Sequence, residues 1–504
     1  MSTKITRDLE KNIDAFQQIF SDCADIKTRR MRLGRELGTQ CFIAYVEVAV
    51  GNMLLEDSVL GKLLNTLWGM PEERILAYLR ENGVGISDVT EYEDMEAAAG
   101  GLLTGDAIFL VDGYDRALKI SDKGYPGMGV RETDSEKVLR GSNEGFSESI
   151  KINTALIRKR LRTPGVKVKE SFAGRRSGTN VDLVYMEDLI RPELLAAIEE
   201  RLSGFEIDGV LDSGIIEQLT EESWVSPFPQ FQTTQRPDRA AMAVLEGRIV
   251  LLTDNSPVAL ILPTDYNSFI QTSDDYYSRW EIASFTRALR YVASFLAMTL
   301  PGLYLAVTNF HTQILPTDLL LSFAAARQGV PFPAVVEILI MELAFELLRE
   351  AGVRLPGAMG NTIGIVGGLI IGQAAVDANI VSPIVVIVVA LTALCSFAIP
   401  NEEFATAFRI LKFGFILLCA WLGFFGFLLS LLTVLVHLSG LESFGIPYLM
   451  PFVGADINDY RDQRDSLFRL PLPLLKRRPV YTRENARIKL RMKKQDENEG
   501  SGGE

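Results

Sequence analysis

At 504 residues the chain has room for two or three domains, and a formal net charge of −13 argues against a nucleic-acid partner. Four cysteines, with no CxxC or Cys/His spacing, disfavour a disulfide framework or a metal site. Hydrophobic residues make up 48% of the chain and charged ones 23%, a soluble-looking average that hides a division: charges crowd the first ~285 residues and thin out between Tyr291 and Leu438.

The opening stretch MSTKITRDLEKNIDAF lacks the apolar core of a signal peptide, so the region ahead of the first apolar segment is expected to stay in the cytoplasm. Residues 4–20 place Ile5, Leu9, Ile13, Phe16 and Phe20 on a helical period. A strand is expected near 40–48, helices at 56–68 and 72–82, and paired strands around 106–121. Together these form a first α/β subdomain, residues 1–130. A second, residues 131–285, holds a helix at 147–162, the strands VKVKESFA and NVDLVYME, and helices from Pro192 and over 213–221. A short helix ending at Gly247 then leads into the strands RIVLLTD and VALILP, joined through Asp254-Asn255-Ser256-Pro257. The polar, aromatic run TDYNSFIQTSDDYYSRW approaches the membrane. Its Asp274-Asp275-Tyr276-Tyr277, with Arg279, Arg287 and Arg290, forms a charged hinge or a simple interface anchor.

Residues 286–455 read as an all-α polytopic membrane domain with five candidate spans: 288–309, 333–350, 360–376, 382–399 and 411–438. The last is long enough to cross with considerable tilt. Residues 456–504 form a basic tail with a disordered end, on the cytoplasmic side by the positive-inside rule. Cytoplasmic ends require an even number of crossings, so four true spans are expected, with the acidic helix 333–350 re-entrant or lying at the interface. The tail either attracts anionic lipid or merely sets topology.

Within 360–376, Gly360, Gly364, Gly368 and Gly372 fall on one helical stripe. Each would cost about 1 kcal/mol in a helix in water, whereas in a bilayer small residues let helices pack closely. The opposite face carries Thr362, Val366, Leu369 and Gln373, polar ends around an apolar middle, a pattern suited to a hydrophobic gate that closes by dewetting. The alternative is a buried packing helix away from any pore. Glu337, Glu342, Glu346 and Glu350 are costly at membrane depth, at about 2.5–3.5 kcal/mol each. Glu342 and Glu346 share a face while Glu337 points elsewhere. Repeated around a ring they would form acidic belts that favour cations. The alternative is an interfacial helix whose glutamates face water or pair with Arg349 and Arg354. His311 and His437 lie beside or within apolar segments and read as boundary or core residues. The soluble half has no GxGxxG, P-loop, nucleophile elbow or HExxH, so no catalytic, cofactor-binding or metal-ligating residue is expected.

Three blocks resemble the A subunits of the GerA family of spore germinant receptors: RGSNEGFSESIKINTALIRKRL from Arg140, PFPQFQTTQRPDRAAMAVLEGRIVLLTDNSPVALILP over 227–263, and residues 317–383. Ser142-Asn143 stand where the family usually has Pro-Arg, and Gln235 where it has Glu. The resemblance implies a protein of the spore inner membrane whose partners are a transporter-like, germinant-binding B subunit and a lipoprotein C subunit. It also implies a homo-oligomeric ring, pentameric in family models, acting as a nutrient-gated cation channel in the lipid bilayer. The same blocks fit the sporulation paralogue, the stage V sporulation protein AF, associated with dipicolinic acid release. A non-conducting scaffold is the reading from another class.

Overall fold

The computed structural model describes residues 3–47, 59–80, 89–121, 136, 138, 140–354, 368, 370–453 and 464–491. Asp8 starts the first helix by accepting the Lys11 N–H, and Leu9, Ile13 and Phe16 form its buried face. The elements then run α1 (Leu9–Ile19), β1 (Ile26–Leu33), β2 (Thr39–Val46), α2 (Val59–Trp68), α3 (Glu72–Arg80), β3 (Val89–Tyr92), α4 (Met95–Leu103), β4 (Ala107–Val111) and β5 (Ala117–Ile120). A second set follows: α5 (Ile150–Arg160), β6 (Val166–Ala173), β7 (Thr179–Met186), α6 (Pro192–Ser203), α7 (Ser213–Thr220), β8 (Gln232–Thr234), α8 (Pro237–Leu245), β9 (Ile249–Thr253) and β10 (Ala259–Leu262).

The two sets have the same element order and the same sheet order, β1-β2-β4-β5-β3 and β6-β7-β9-β10-β8. Their hydrogen bonds repeat as well. Asp112, just past β4, accepts the first N–H of α1 at 3.3 Å, and Asp254, just past β9, accepts that of α5 at 3.1 Å. Asn12 clamps Thr6 through both its amide atoms, and Asn153 clamps Ser147 in the same way, each six residues back. Gly113 and Asn255, both at positive φ, donate to the carbonyls of Arg7 and Glu148. The α/β region is therefore an internal structural duplication. The sequence reading separates two units without revealing that they repeat.

Asp22 and Ala24 exchange backbone hydrogen bonds with Val168 at the edge of the second sheet, each at 3.0 Å. Beside them, buried Arg158 grips both carboxylate oxygens of Asp25 at 2.8 Å. Linker helices α9 (Tyr266–Ile270) and α10 (Ser273–Tyr277) lead to the helical region: α11 (Trp280–Leu305, prolonged by a π-turn to Phe310), α12 (Thr317–Ala326), α13 (Ala334–Arg354), α14 (Pro383–Phe397), α15 (Glu402–Leu422) and α16 (Phe424–Gly440). Two of these helices, Trp280–Phe310 and Glu402–Leu422, are long and apolar enough to cross a membrane, and three more are shorter and apolar.

The segment expected as one tilted span, 411–438, is instead a helical hairpin. Gly423 breaks it at φ +61°, and a side chain at Gly426 would lie 2.1 Å from the Leu418 carbonyl oxygen. Phe228 touches both Phe408 near the start of α15 and His437 near the end of α16, so the two arms are antiparallel. The acidic helix packs lengthwise against α14. Glu337 meets Ser382 at the start of α14 and Arg349 meets Ser396 near its end, so α13 and α14 run side by side in the same direction. Gly368 lies against Phe345 and Gly372 against Val386, which orients 370–377 the opposite way. Gly423 thus divides the last candidate into two helices, and the end of α16 returns to the α/β region, where His437 meets Ser226.

Over 464–491 the tail docks on the second α/β unit. Thr482 bridges to Ile190, its hydroxyl donates to the Glu246 carbonyl at 2.7 Å, and Arg478 Nε donates to the Leu245 carbonyl at 2.8 Å. Residues 492–504 lie outside the described residues.

One buried acid makes the duplicated region sensitive to pH. Asp182 on β7 is 8% exposed and accepts a hydrogen bond from Thr154 at 3.1 Å. Burial, with Glu170 and Asp25 nearby, pushes its carboxyl up to about 7. A raised carboxyl favours the folded state while protonated, so its contribution is complete below the unfolded value and is lost as pH rises through about 7. Asp182→Asn is expected to raise thermal stability at pH 8 by on the order of 2 kcal/mol relative to its effect at pH 5.5. Melting curves of the pair at both pH values check this.

Candidate functional site

The helical region carries few charges, and its buried ones are gathered in two places. On α13, Glu337 is fully buried. One oxygen accepts from Arg327 at 3.2 Å and the other from the Ser382 N–H at 2.8 Å, at the positive end of α14. Glu342 and Glu346, one helical turn further on, face α15. Asn401 caps that helix by accepting the Phe404 N–H at 2.8 Å, and Arg409 and Lys412 stand one turn apart on the face toward α13.

Lys412 is 4% exposed; its ammonium donates to Glu342 and lies 3.5 Å from Glu346. Arg409 reaches Glu346 at 3.3 Å and Glu402 at 3.0 Å. Arg349 closes the series, 3.9 Å from Glu402, donating to Ser396 at 3.1 Å and lying 4.3 Å over the Phe397 ring. Acids and bases thus alternate as Glu342, Lys412, Glu346, Arg409, Glu402, Arg349, from the interior toward the sheets. Such a ladder can hold two helices in one register, since Lys412 and Arg409 each bridge two acids. The sequence reading offers Arg349 and Arg354 as partners only in its alternative and passes over Arg409 and Lys412. The missed signal was two bases three residues apart leading into an apolar helix, opposite two acids four apart.

Of the glycine stripe, Gly360 and Gly364 lie outside the described residues, as do Thr362, Val366 and Leu369 of the expected gate. A methyl at Gly368 or Gly372 would meet its neighbours at 3.7 and 3.4 Å, ordinary contact. Tighter approaches occur at Gly302, where a methyl would lie 3.0 Å from Cys419 Sγ, and at Gly423 and Gly426. Gln373 is exposed on the chain and donates to Asp377 at 3.0 Å.

The second gathering of charge lies where the halves meet. Asp275 sits in a capping box with Thr272 and is 2% exposed. It receives Arg287 at 3.2 Å and Arg290 at 3.0 Å. Arg287 also binds Asp465 of the tail at 2.8 Å, and Tyr276 donates to that carboxylate at 2.9 Å. Arg469 donates to the carbonyls of Asp275 and Ser278. Beside this knot Phe269 stacks on Phe404 with ring centres 5.0 Å apart, and His437 shares a 2.9 Å hydrogen bond with Ser226.

A family model described as the Bacillus/Clostridium GerA spore germination protein matches residues 14–481. The chain is 39% identical over 485 residues to an uncharacterized membrane protein, YfkQ, of Bacillus subtilis (strain 168), covering 95% of this chain and 93% of that one. It is 36% identical to spore germination protein KA of the same organism, over 96% of this chain and 88% of the relative. Spore germination protein GerLA of Bacillus cereus is 39% identical over 81% and 83%. Among solved structures, the N-terminal domain of the A subunit of the Bacillus megaterium spore germinant receptor GerK3 is similar at 28% identity and a TM-score of 0.41, over 52% of this chain and 97% of that one.

Removing one member of a buried ion pair strands the other, at about 3–5 kcal/mol. Lys412→Met is therefore expected to lower the unfolding free energy of the full chain in detergent by that order. Adding Glu342→Gln should recover most of the loss, and a double-mutant cycle on the two positions measures the coupling.

Proposed function

Because this chain belongs to the GerA family of spore germination proteins, we propose that it is a membrane subunit of a germinant receptor, forming a ring that opens as a cation channel when a partner binds nutrient. Its partners are the germinant-binding, transporter-like B subunit and the lipoprotein C subunit, and its site is the spore inner membrane, with both termini in the cytoplasm. The observation that carries the channel reading is the alternating ladder between α13 and α15. Charges are expensive in an apolar helical region and are kept where they are used.

In the conformation described, Glu342 and Glu346 are held by Lys412 and Arg409 inside one protomer. This is a closed state in which the acidic residues are neutralised. Opening slides α13 along α15 and frees the carboxylates to attract cations, while Thr362, Val366, Leu369 and Gln373 line the constriction, and the glycine stripe from Gly360 to Gly372 packs behind them. Glu337, tied to Arg327 and the start of α14, stays as a fixed anchor rather than joining the lumenal belt.

The same pairing favours a second reading. With every one of these three carboxylates partnered within the chain, the protein would serve as a non-conducting scaffold that assembles germination or dipicolinic acid release machinery. Potassium flux from liposomes containing the purified oligomer separates the two. The channel reading expects Val366→Ala and Leu369→Ala to leak at least severalfold faster than wild type, and Glu342→Gln with Glu346→Gln to lower selectivity for K+ over Cl−. Absence of flux from wild type and all variants supports the scaffold.

A further inference from the structure

A cavity of about 470 Å³ opens between α8, the linker helices α9 and α10, and the tail. That volume is in the range of small-molecule sites. Eight of its lining residues are Lys or Arg, against three carboxylates. Two of the three are already engaged: Asp265 accepts from the Ser268 backbone and hydroxyl, and Asp465 from Arg287 and Tyr276. Arg248 and Arg478 give these hydrogen bonds to the carbonyls of Pro263, Leu245, Ala486 and Ile488 rather than to a carboxylate. Asp265 and Glu246 lie close enough to Arg248 to feel its charge, so the positive excess of the cavity is that of eight bases over three acids.

Arg248 is the informative member. It is 4% exposed, its Nε donates to the Pro263 carbonyl at 2.8 Å, and its guanidinium lies 5.0 Å over the Tyr481 ring. The group is thus fixed in place by both halves of the wall. Yet its Nη2 is buried with no acceptor among the described residues, and so is the hydroxyl of Ser273, 6% exposed, which also lines the cavity. Buried donors normally find acceptors, and two orphaned donors lining one basic cavity call for an oxygen-rich anion.

We infer that this cavity binds a small polyvalent anion, phosphate or polycarboxylate in chemistry, held by Arg248, Ser273 and the tail residues Lys476, Arg477 and Lys489. Since the cavity is built from the tail and the linker together, the anion joins them and stabilises the docked tail. This site stands independently of the channel reading. A phosphate group could come from solution or from the headgroup of an anionic lipid, because the linker leads directly into α11.

Calorimetric titration of the full-length chain in phosphatidylcholine nanodiscs with pyrophosphate, inorganic phosphate and citrate tests it. Binding of at least one probe is expected. Affinity should be at least tenfold weaker in Arg248→Gln and severalfold weaker in Lys476→Ala/Arg477→Ala, whose side chains are exposed and whose loss leaves folding intact. If nanodiscs containing phosphatidylglycerol raise the melting temperature and abolish pyrophosphate binding, the headgroup is the ligand. Unchanged pyrophosphate binding in those discs identifies a soluble anion. The inference is overturned if no probe binds in phosphatidylcholine and phosphatidylglycerol shifts nothing, or if both variants bind as wild type does.

Discussion

A charge withdrawn from water must keep an opposite charge beside it, and the joining of this protein's halves rests on that constraint at Asp275. The carboxylate is buried at the first turn of a short linker helix and holds two arginines of the first long helix. One of them, Arg287, is shared with Asp465 from the far end of the chain. The linker helix, the first long helix and the tail, whose Asp465 lies 178 residues along the chain from Arg287, are bound at one point. Breaking such a knot strands a buried charge, a cost of about 3–5 kcal/mol, so the parts are constrained to move together. The aromatic stack of Phe269 on Phe404 extends the same joint with apolar area.

The same electrostatic rule governs the helical interior. Glu342, Lys412, Glu346 and Arg409 alternate, and each charge lies near a neighbour of opposite sign. A ladder of this kind is less a source of stability than of register, since apolar residues of equal volume would pack as well. What it adds is directional pairing: each rung matches one acid to one base and so fixes how far α13 and α15 are offset along each other.

Much of the α/β region is legible from pattern. Helices with an apolar period, such as Leu9–Ile19, and strands with a continuous apolar run, such as Ala107–Val111, announce themselves. β1 does not, because IKTRRMRL has three arginines and sits at a sheet edge, where pairing with β2 rather than burial makes it a strand. α4 is hidden by Gly100 and Gly101, poor helix formers, and is held instead by Ala98, Ala99, Leu102 and Leu103 buried in the core with β4 and β5. The duplication escapes because the repeated features are single residues, Asn12 with Asn153 and Asp112 with Asp254, whose equivalence exists only in their hydrogen bonds.

By itself the sequence determined the class of each half, the family and the placing of Glu342 and Glu346 on one face, because these depend on composition, short-range period and quoted blocks. Only the tertiary structure decided that 411–438 folds back on itself, that the acidic helix runs alongside α14, and which bases neutralise its glutamates. The reason is the same in each case. A glycine at positive φ, a helix direction and an ion pair between residues seventy positions apart are properties of where chains meet, and local pattern carries no record of the partner.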